Sequence, residues 1–136
     1  FCQIVLGKAS CHRIHEDELT LTFLDAFPAT PGHLLIVTKE HYADIFDATP
    51  KALARVAENA KLMANIVQRV VNSDGLGIYQ FNKAAAGQTV FHYHMHLIPQ
   101  LTGSNIGIHS KSAADSEQLA ILGKSLRNEL SKVNSS

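Results

Sequence analysis

Three histidines, His92, His94 and His96, occupy alternate positions in the stretch AGQTVFHYHMHLIP, residues 86–99. The chain holds eight histidines in all, so three within five residues form a constellation. In an extended strand alternate side chains share a face. The three imidazoles would then line one accessible face about 6–7 Å apart. Phe91, Tyr93, Met95 and Leu97 would point the other way and anchor the strand. A merely polar sheet face would not need the same residue three times. A His-x-His pair on a strand is a start for zinc but needs further ligands. Near neutral pH histidine also serves as nucleophile, general acid and donor to phosphate. Neighbouring imidazoles depress one another's pKa, so some stay neutral and nucleophilic while another carries a proton. On the residues alone, catalysis stands ahead of metal binding.

The flanks point the same way. The segment AAAGQT, residues 84–89, is small and flexible and leads straight into the histidines. Gly87 permits close backbone approach. Gln88 and Thr89 supply an amide and a hydroxyl, and Asn82 ends the preceding strand. Backbone N–H groups, an amide and a hydroxyl beside a nucleophile make a cradle for phosphate.

The elements that must position these residues read as α+β. Residues 2–8 form a helical turn ending at Gly7. Residues 11–16 and 19–25 make two short strands with a tight turn near Asp17, and 33–39 is a third strand. Thr49 is an N-cap and Pro50 suits the first helical position. Apolar residues from Leu53 to Val71 recur at helical spacing, and Asp74-Gly75 ends that helix. Residues 76–82 return to strand, and the fifth strand is 90–98, stopped by Pro99. A second helix covers about 115–132, with Leu119, Leu122, Leu126 and Leu130 on one stripe. One domain follows: a five-stranded antiparallel sheet with helices on one face.

Composition excludes several classes. The 136 residues are 46% hydrophobic, enough for a core, and the formal net charge is +0. No basic surface is available for nucleic acid or an anionic membrane, and no apolar run reaches membrane-spanning length. The two cysteines, Cys2 and Cys11, make no disulfide framework and suit reduced thiols in a cytoplasmic protein. The chain begins at Phe1 rather than Met, which implies residues ahead of it.

With these residues in view, the chain resembles the histidine triad proteins, which act on nucleotides. The run His92-Tyr93-His94-Met95-His96-Leu97-Ile98 matches the family signature of three histidines separated by apolar residues. Asn82 and Ala86-Gly87-Gln88-Thr89-Val90 match its lead-in. EDE at 16–18, FLD at 23–25 and PGHLLIVTKEH at 31–41 look like its N-terminal half. The long C-terminal helix looks like the bacterial branch.

The resemblance implies a nucleotide hydrolase or nucleotidyl transferase whose monomers pair into a homodimer with one continuous sheet. Its substrate would be a small nucleotide, adenine favoured: a nucleoside phosphoramidate or a dinucleoside polyphosphate. His94 would attack the α-phosphorus and His96 would donate to phosphate oxygen. The backbone carbonyl of His92 would hold the δ-nitrogen proton of His94, and His33 would support the array. Gln88 and Thr89 would bind phosphate and assist the leaving group, beside Gly87 and Val90. Asn82 would contact phosphate. Asp25 would accept from the ribose hydroxyls, and Phe23 and Ile4 would line the base pocket. Residues 101–114 would shape the leaving-group side. Family members that pass a nucleotidyl group to a sugar phosphate carry His-Pro-His, which this chain lacks.

The chemistry requires no cofactor. Many bacterial members resemble zinc proteins with a Cys-x-x-Cys and two histidines. Cys2 would then be the second cysteine, the first lying two residues ahead of Phe1, with His41 and His92 as the histidine ligands of a structural site. Cys11 matches no ligand position, and His12, His15 and His109 read as surface residues. The alternative function is a non-enzymatic zinc- and nucleotide-binding interaction protein.

Overall fold

The structure is a computed structural model that describes residues 1–7, 11–103 and 114–134. Five strands form one antiparallel sheet: β1 His12–Glu16, β2 Thr20–Leu24, β3 Leu34–Thr38, β4 Gly75–Tyr79 and β5 His94–Gln100. Their order is β1-β2-β3-β5-β4. Helices α2 Pro50–Val71 and α3 Ser116–Asn134 cover one face, and a short turn of helix, α1 Cys2–Val5, lies on the other.

The two faces follow from the pleat. Leu34, Ile36, Met95 and Leu97 belong to the large core with Val56, Met63, Ile66 and Leu126 of the helices. Leu35 and Val37 alternate with them and pair with His96 and His94 across the sheet. They share the second face with Leu21 and Phe23, against which Phe1, Ile4 and Val5 pack. The histidine face is therefore roofed by the N-terminal turn. His92, His94 and His96 are buried, at 2%, 9% and 2% exposure, which corrects the expected open row of imidazoles. Of the four residues expected behind them, Tyr93 and Leu97 are buried and Met95 is partly so. Phe91 is half exposed.

Local chemistry sets the element ends. The Thr49 side chain accepts from the Ala52 N–H at 3.2 Å, and Pro50 opens α2. The helix ends at Asn72 in the left-handed conformation, not at Asp74-Gly75; Asn tolerates that backbone, and Gly75 instead starts β4. The β1–β2 turn closes on Asp17, whose Oδ1 accepts from Leu19 and Thr20 N–H at 2.9 and 2.8 Å. Asn59 of α2 donates to Asp17 Oδ2 and Thr20 Oγ1, both at 2.7 Å, and docks the helix on the hairpin. Burial would raise the Asp17 pKa, but donors from Asn59, Leu19 and Thr20 hold it down at about 2.

The fifth strand runs 94–100, not 90–98. Residues 90–93 lie outside the ladder, and Pro99 sits inside it opposite Leu76. The Pro99 carbonyl accepts from Thr30 Oγ1 at 2.6 Å, on the side where β3 pairing has ended at Leu34↔Leu97. Its ring nitrogen faces that same side, so the missing N–H breaks no ladder bond. Gly32 (φ 91°) leads the chain into β3, where a Cβ would come within 2.8 Å of Val71 and 3.2 Å of Pro99. That close approach sets the entry of His33. Among the described residues no helix is long and apolar enough to cross a membrane. Of the 101–114 segment, residues 104–113 lie outside the described residues, as does His109.

Candidate active site

His94 starts β5, and its Nδ1 lies 2.7 Å from the carbonyl oxygen of His92. A carbonyl only accepts, so Nδ1 carries the proton. The neutral ring then holds its lone pair on Nε2, the form a nucleophile needs. The side chain faces a cavity of about 350 Å³ with His96, Asp25, Thr89 and Val90. Phe1, Phe27 and Leu35 close its apolar side and also line an adjoining cavity of about 510 Å³ with Ile4 and Phe23. Cavities of this size suit a small ligand. The larger one has an apolar wall for a flat ring; the smaller has the imidazoles and a hydroxyl.

Behind His94 a relay fixes the neighbouring histidine. The Ala29 N–H donates to His33 Nδ1 at 2.9 Å. His33 must therefore carry its proton on Nε2, which lies 2.9 Å from His96 Nδ1 and 3.4 Å from Asp25 Oδ2. His96 Nδ1 accepts, so the proton of a neutral His96 sits on Nε2. That nitrogen is set to donate to an anionic oxygen.

A second cluster stands on the far side of His92. Its Nε2–H donates to the Thr38 carbonyl at 2.6 Å. Its Nδ1 lies 3.5 Å from Cys2 Sγ, and His41 Nδ1 is 3.1 Å from the same sulfur. The three donor atoms lie within 4.8 Å of one another. Burial lowers the His92 pKa, with the Thr38 carbonyl opposing and His41 adding to the effect, so the ring stays neutral. A thiolate and two imidazoles are the donor set that zinc takes, and the Thr38 carbonyl fixes the His92 tautomer as outer-shell partners of metal sites do. Asp25, His33 and His96 also bring three donors within 4.8 Å. There the Ala29 N–H keeps the proton on His33 Nε2, and the cluster does not fit a metal.

The HIT domain family matches residues 7–103. The chain belongs to the HIT domain family. Among curated HIT relatives, the adenylylsulfatase HINT3 of Arabidopsis thaliana is 36% identical over 100 residues, 74% of this chain and 51% of that protein. The chain thus spans about half the length of that relative. Among solved HIT structures, a Zn-bound histidine triad family protein from Mycobacterium smegmatis superposes with a TM-score of 0.87 at 34% identity, covering 99% of this chain and 94% of that one. A hypothetical histidine triad nucleotide-binding protein from Sulfolobus tokodaii gives 0.89 at 27% identity, with 98% and 92% covered.

Other expected site residues of this HIT chain make hydrogen bonds within the chain. Gln88 is buried, and its amide is committed to backbone: Oε1 accepts from Lys83 N–H at 2.6 Å, and Nε2 donates to Ala43 and Val90 carbonyls at 2.6 and 3.1 Å. It staples the lead-in loop to the 41–48 segment. Asn82 Oδ1 accepts from Ile45 N–H at 2.7 Å, and its amide exchanges hydrogen bonds with Gln80. Gly87 (φ 106°) caps a single 3-10 turn, Ala84–Ala86, a backbone state that favours glycine. Neither Asn82, Gly87 nor Gln88 lines the histidine cavity; Thr89 and Val90 do. Sequence reasoning missed Phe1, Phe27 and Leu35 as cavity walls, and also Cys11 and His12, which line the larger cavity. Leu35 was legible as the residue opposite His96 once β3 and β5 are paired. The backbone groups that set tautomers, Ala29 N–H and Thr38 C=O, leave no mark in residue identity.

Proposed function

We propose that this chain hydrolyses a nucleotide at its α-phosphate through a nucleotidyl-His94 intermediate. The observation that carries the reading is the 2.7 Å contact between His94 Nδ1 and the His92 carbonyl. It supports a ring with its lone pair on Nε2 in a cavity shared with a proton donor, His96. In the first step Nε2 forms a bond to phosphorus while the bond to the leaving group breaks and takes its electron pair with it. An amine leaving group takes a proton from solvent water on the exposed Thr89 side. The ring becomes cationic, and the His92 carbonyl stabilises the proton left on Nδ1. His96 donates to a phosphate oxygen. In the second step water forms the new P–O bond, the P–N pair returns to Nε2, and the proton of water is released to solvent with the nucleoside monophosphate.

Asp25, at the junction of the two cavities, suits a ribose diol as acceptor; Ile4 and Phe23 suit the base, adenine favoured. The leaving group is an amine, sulfate or second nucleotide; the plant relative named adenylylsulfatase supports a nucleotide substrate of this kind. A zinc held by Cys2, His41 and His92 would supply a structural crosslink and no chemistry at phosphorus. We also infer a homodimer built on β4, an outer strand with Ile78 53% exposed. The two free thiols, Cys2 and Cys11, fit a cytoplasmic setting.

The test is turnover of adenosine 5′-phosphoramidate, adenylyl sulfate and a diadenosine polyphosphate, with trapping of nucleotide on protein by an alkaline detergent quench, under which a P–N bond to histidine survives. Wild type is expected to cleave at least one and to carry label; His94→Ala is expected to do neither. Equal rates for the two proteins overturn the reading. A non-enzymatic zinc- and nucleotide-binding protein is the second reading, favoured by the Cys2–His41–His92 cluster; AMP binding with no cleavage of the panel selects it.

A further inference from the structure

The geometry points to α1 as a link between metal and nucleotide: an ion held through Cys2 fixes the wall of the cavity that faces His94. The inference rests on the reading that this cavity holds a nucleotide. Cys2 lies 3.1 Å from His41 and 3.5 Å from His92. The residue before it, Phe1, sets its ring edge-on to His94 with centroids 4.9 Å apart, 6.0 Å from His92 and 5.8 Å from Phe23. Phe1 and Ile4 both line the larger cavity. One four-residue turn therefore carries a metal donor on one side and the cavity wall on the other.

Among the described residues, few other contacts hold that turn in place. None of Cys2–Val5 is buried. Its visible tethers are Arg13 Nη2 donating to the Ile4 carbonyl at 2.5 Å and the packing of Phe1, Ile4 and Val5 on Leu21, Phe23, Leu35 and Val37. It also precedes the residues that the HIT family matches. A second connection runs through His92, whose ring faces Cys2 and whose carbonyl receives the His94 proton. Zinc and nucleotide thus share two elements, α1 and His92. Sites coupled this way raise each other's affinity by the same factor.

The test uses zinc and AMP as probes on chelator-treated and zinc-loaded protein. Calorimetry is expected to give about tenfold tighter AMP binding with zinc, and competition against a chelator about tenfold tighter zinc binding with AMP. Zinc alone is expected to slow amide exchange at Val5 and Leu6, whose N–H groups bond back to Phe1 and Cys2. Phe1→Ala is expected to bind zinc at the same stoichiometry and to keep only the smaller part of the coupling, carried by His92. Equal AMP affinity with and without zinc overturns the link, as does full coupling in Phe1→Ala or unchanged exchange at Val5 and Leu6. Failure of AMP to bind in either state overturns the nucleotide reading itself.

Discussion

Two histidine clusters, one wholly buried and one with His41 exposed, sit either side of His94, and the backbone gives them opposite characters. In the Asp25–His33–His96 cluster the main chain donates: the Ala29 N–H occupies one nitrogen of His33 and forces the proton onto the other. In the Cys2–His41–His92 cluster the main chain accepts: the Thr38 carbonyl takes the His92 proton and leaves a lone pair facing the sulfur. The first can pass hydrogen bonds; the second can ligate an ion. Side-chain composition alone does not separate them, since both are three donors within 4.8 Å. One main-chain group per cluster does.

The largest expected effect lies between the clusters. His94→Ala should lower turnover by about 10⁴-fold or more while leaving one zinc per chain, measured by steady-state kinetics and metal analysis. Two tightly bound zinc ions per wild-type chain would break the comparison, because the relay would then also be ligating. His33→Ala should lower kcat by roughly 10²–10³-fold with zinc stoichiometry unchanged; loss of zinc would show that the clusters are not separate. Cys2→Ser should weaken zinc binding by at least about 100-fold, more than the loss of an outer-shell partner, with His94 still labelled by nucleotide in an alkaline-quench assay.

The smallest effect is a control outside both clusters. Asp17 has its folded pKa depressed to about 2 from 3.8, so its carboxylate stabilises the fold above pH 4, and that contribution is lost as pH falls from about 4 towards 2. Asp17→Asn should cost up to about 2 kcal/mol at pH 7 and flatten stability across that acid window. Denaturant titration at pH 7 and pH 3 measures this. Zinc content and turnover should not change.

Much of this comparison could be read from residue order, and part of it could not. The alternation His92-x-His94-x-His96, the Thr49-Pro50 cap and the apolar periodicities of α2 and α3 are signals carried by side chains. Cys2, His41 and His92 do meet, as the family resemblance implied. The start of β5 was displaced because apolar and aromatic residues at 90–93 mimic a strand while lying outside the ladder. Pro99 reads as a stop, yet the order of neighbouring strands makes its lost N–H harmless. Gln88 has the composition of a ligand and spends it on three backbone groups. Phe1 lies outside every motif in the sequence. What escaped depends on which main-chain groups come within reach after folding.

The acceptor that sets the tautomer of His94 belongs to the peptide unit of residue 92, not to a side chain. Every amino acid at that position, proline included, keeps a carbonyl. Enzymes that orient a histidine with an aspartate can lose that partner through one codon change; here the partner is not encoded by any codon. Inherited change at position 92 can remove the imidazole that faces Cys2, but it cannot delete the oxygen that accepts from His94 Nδ1.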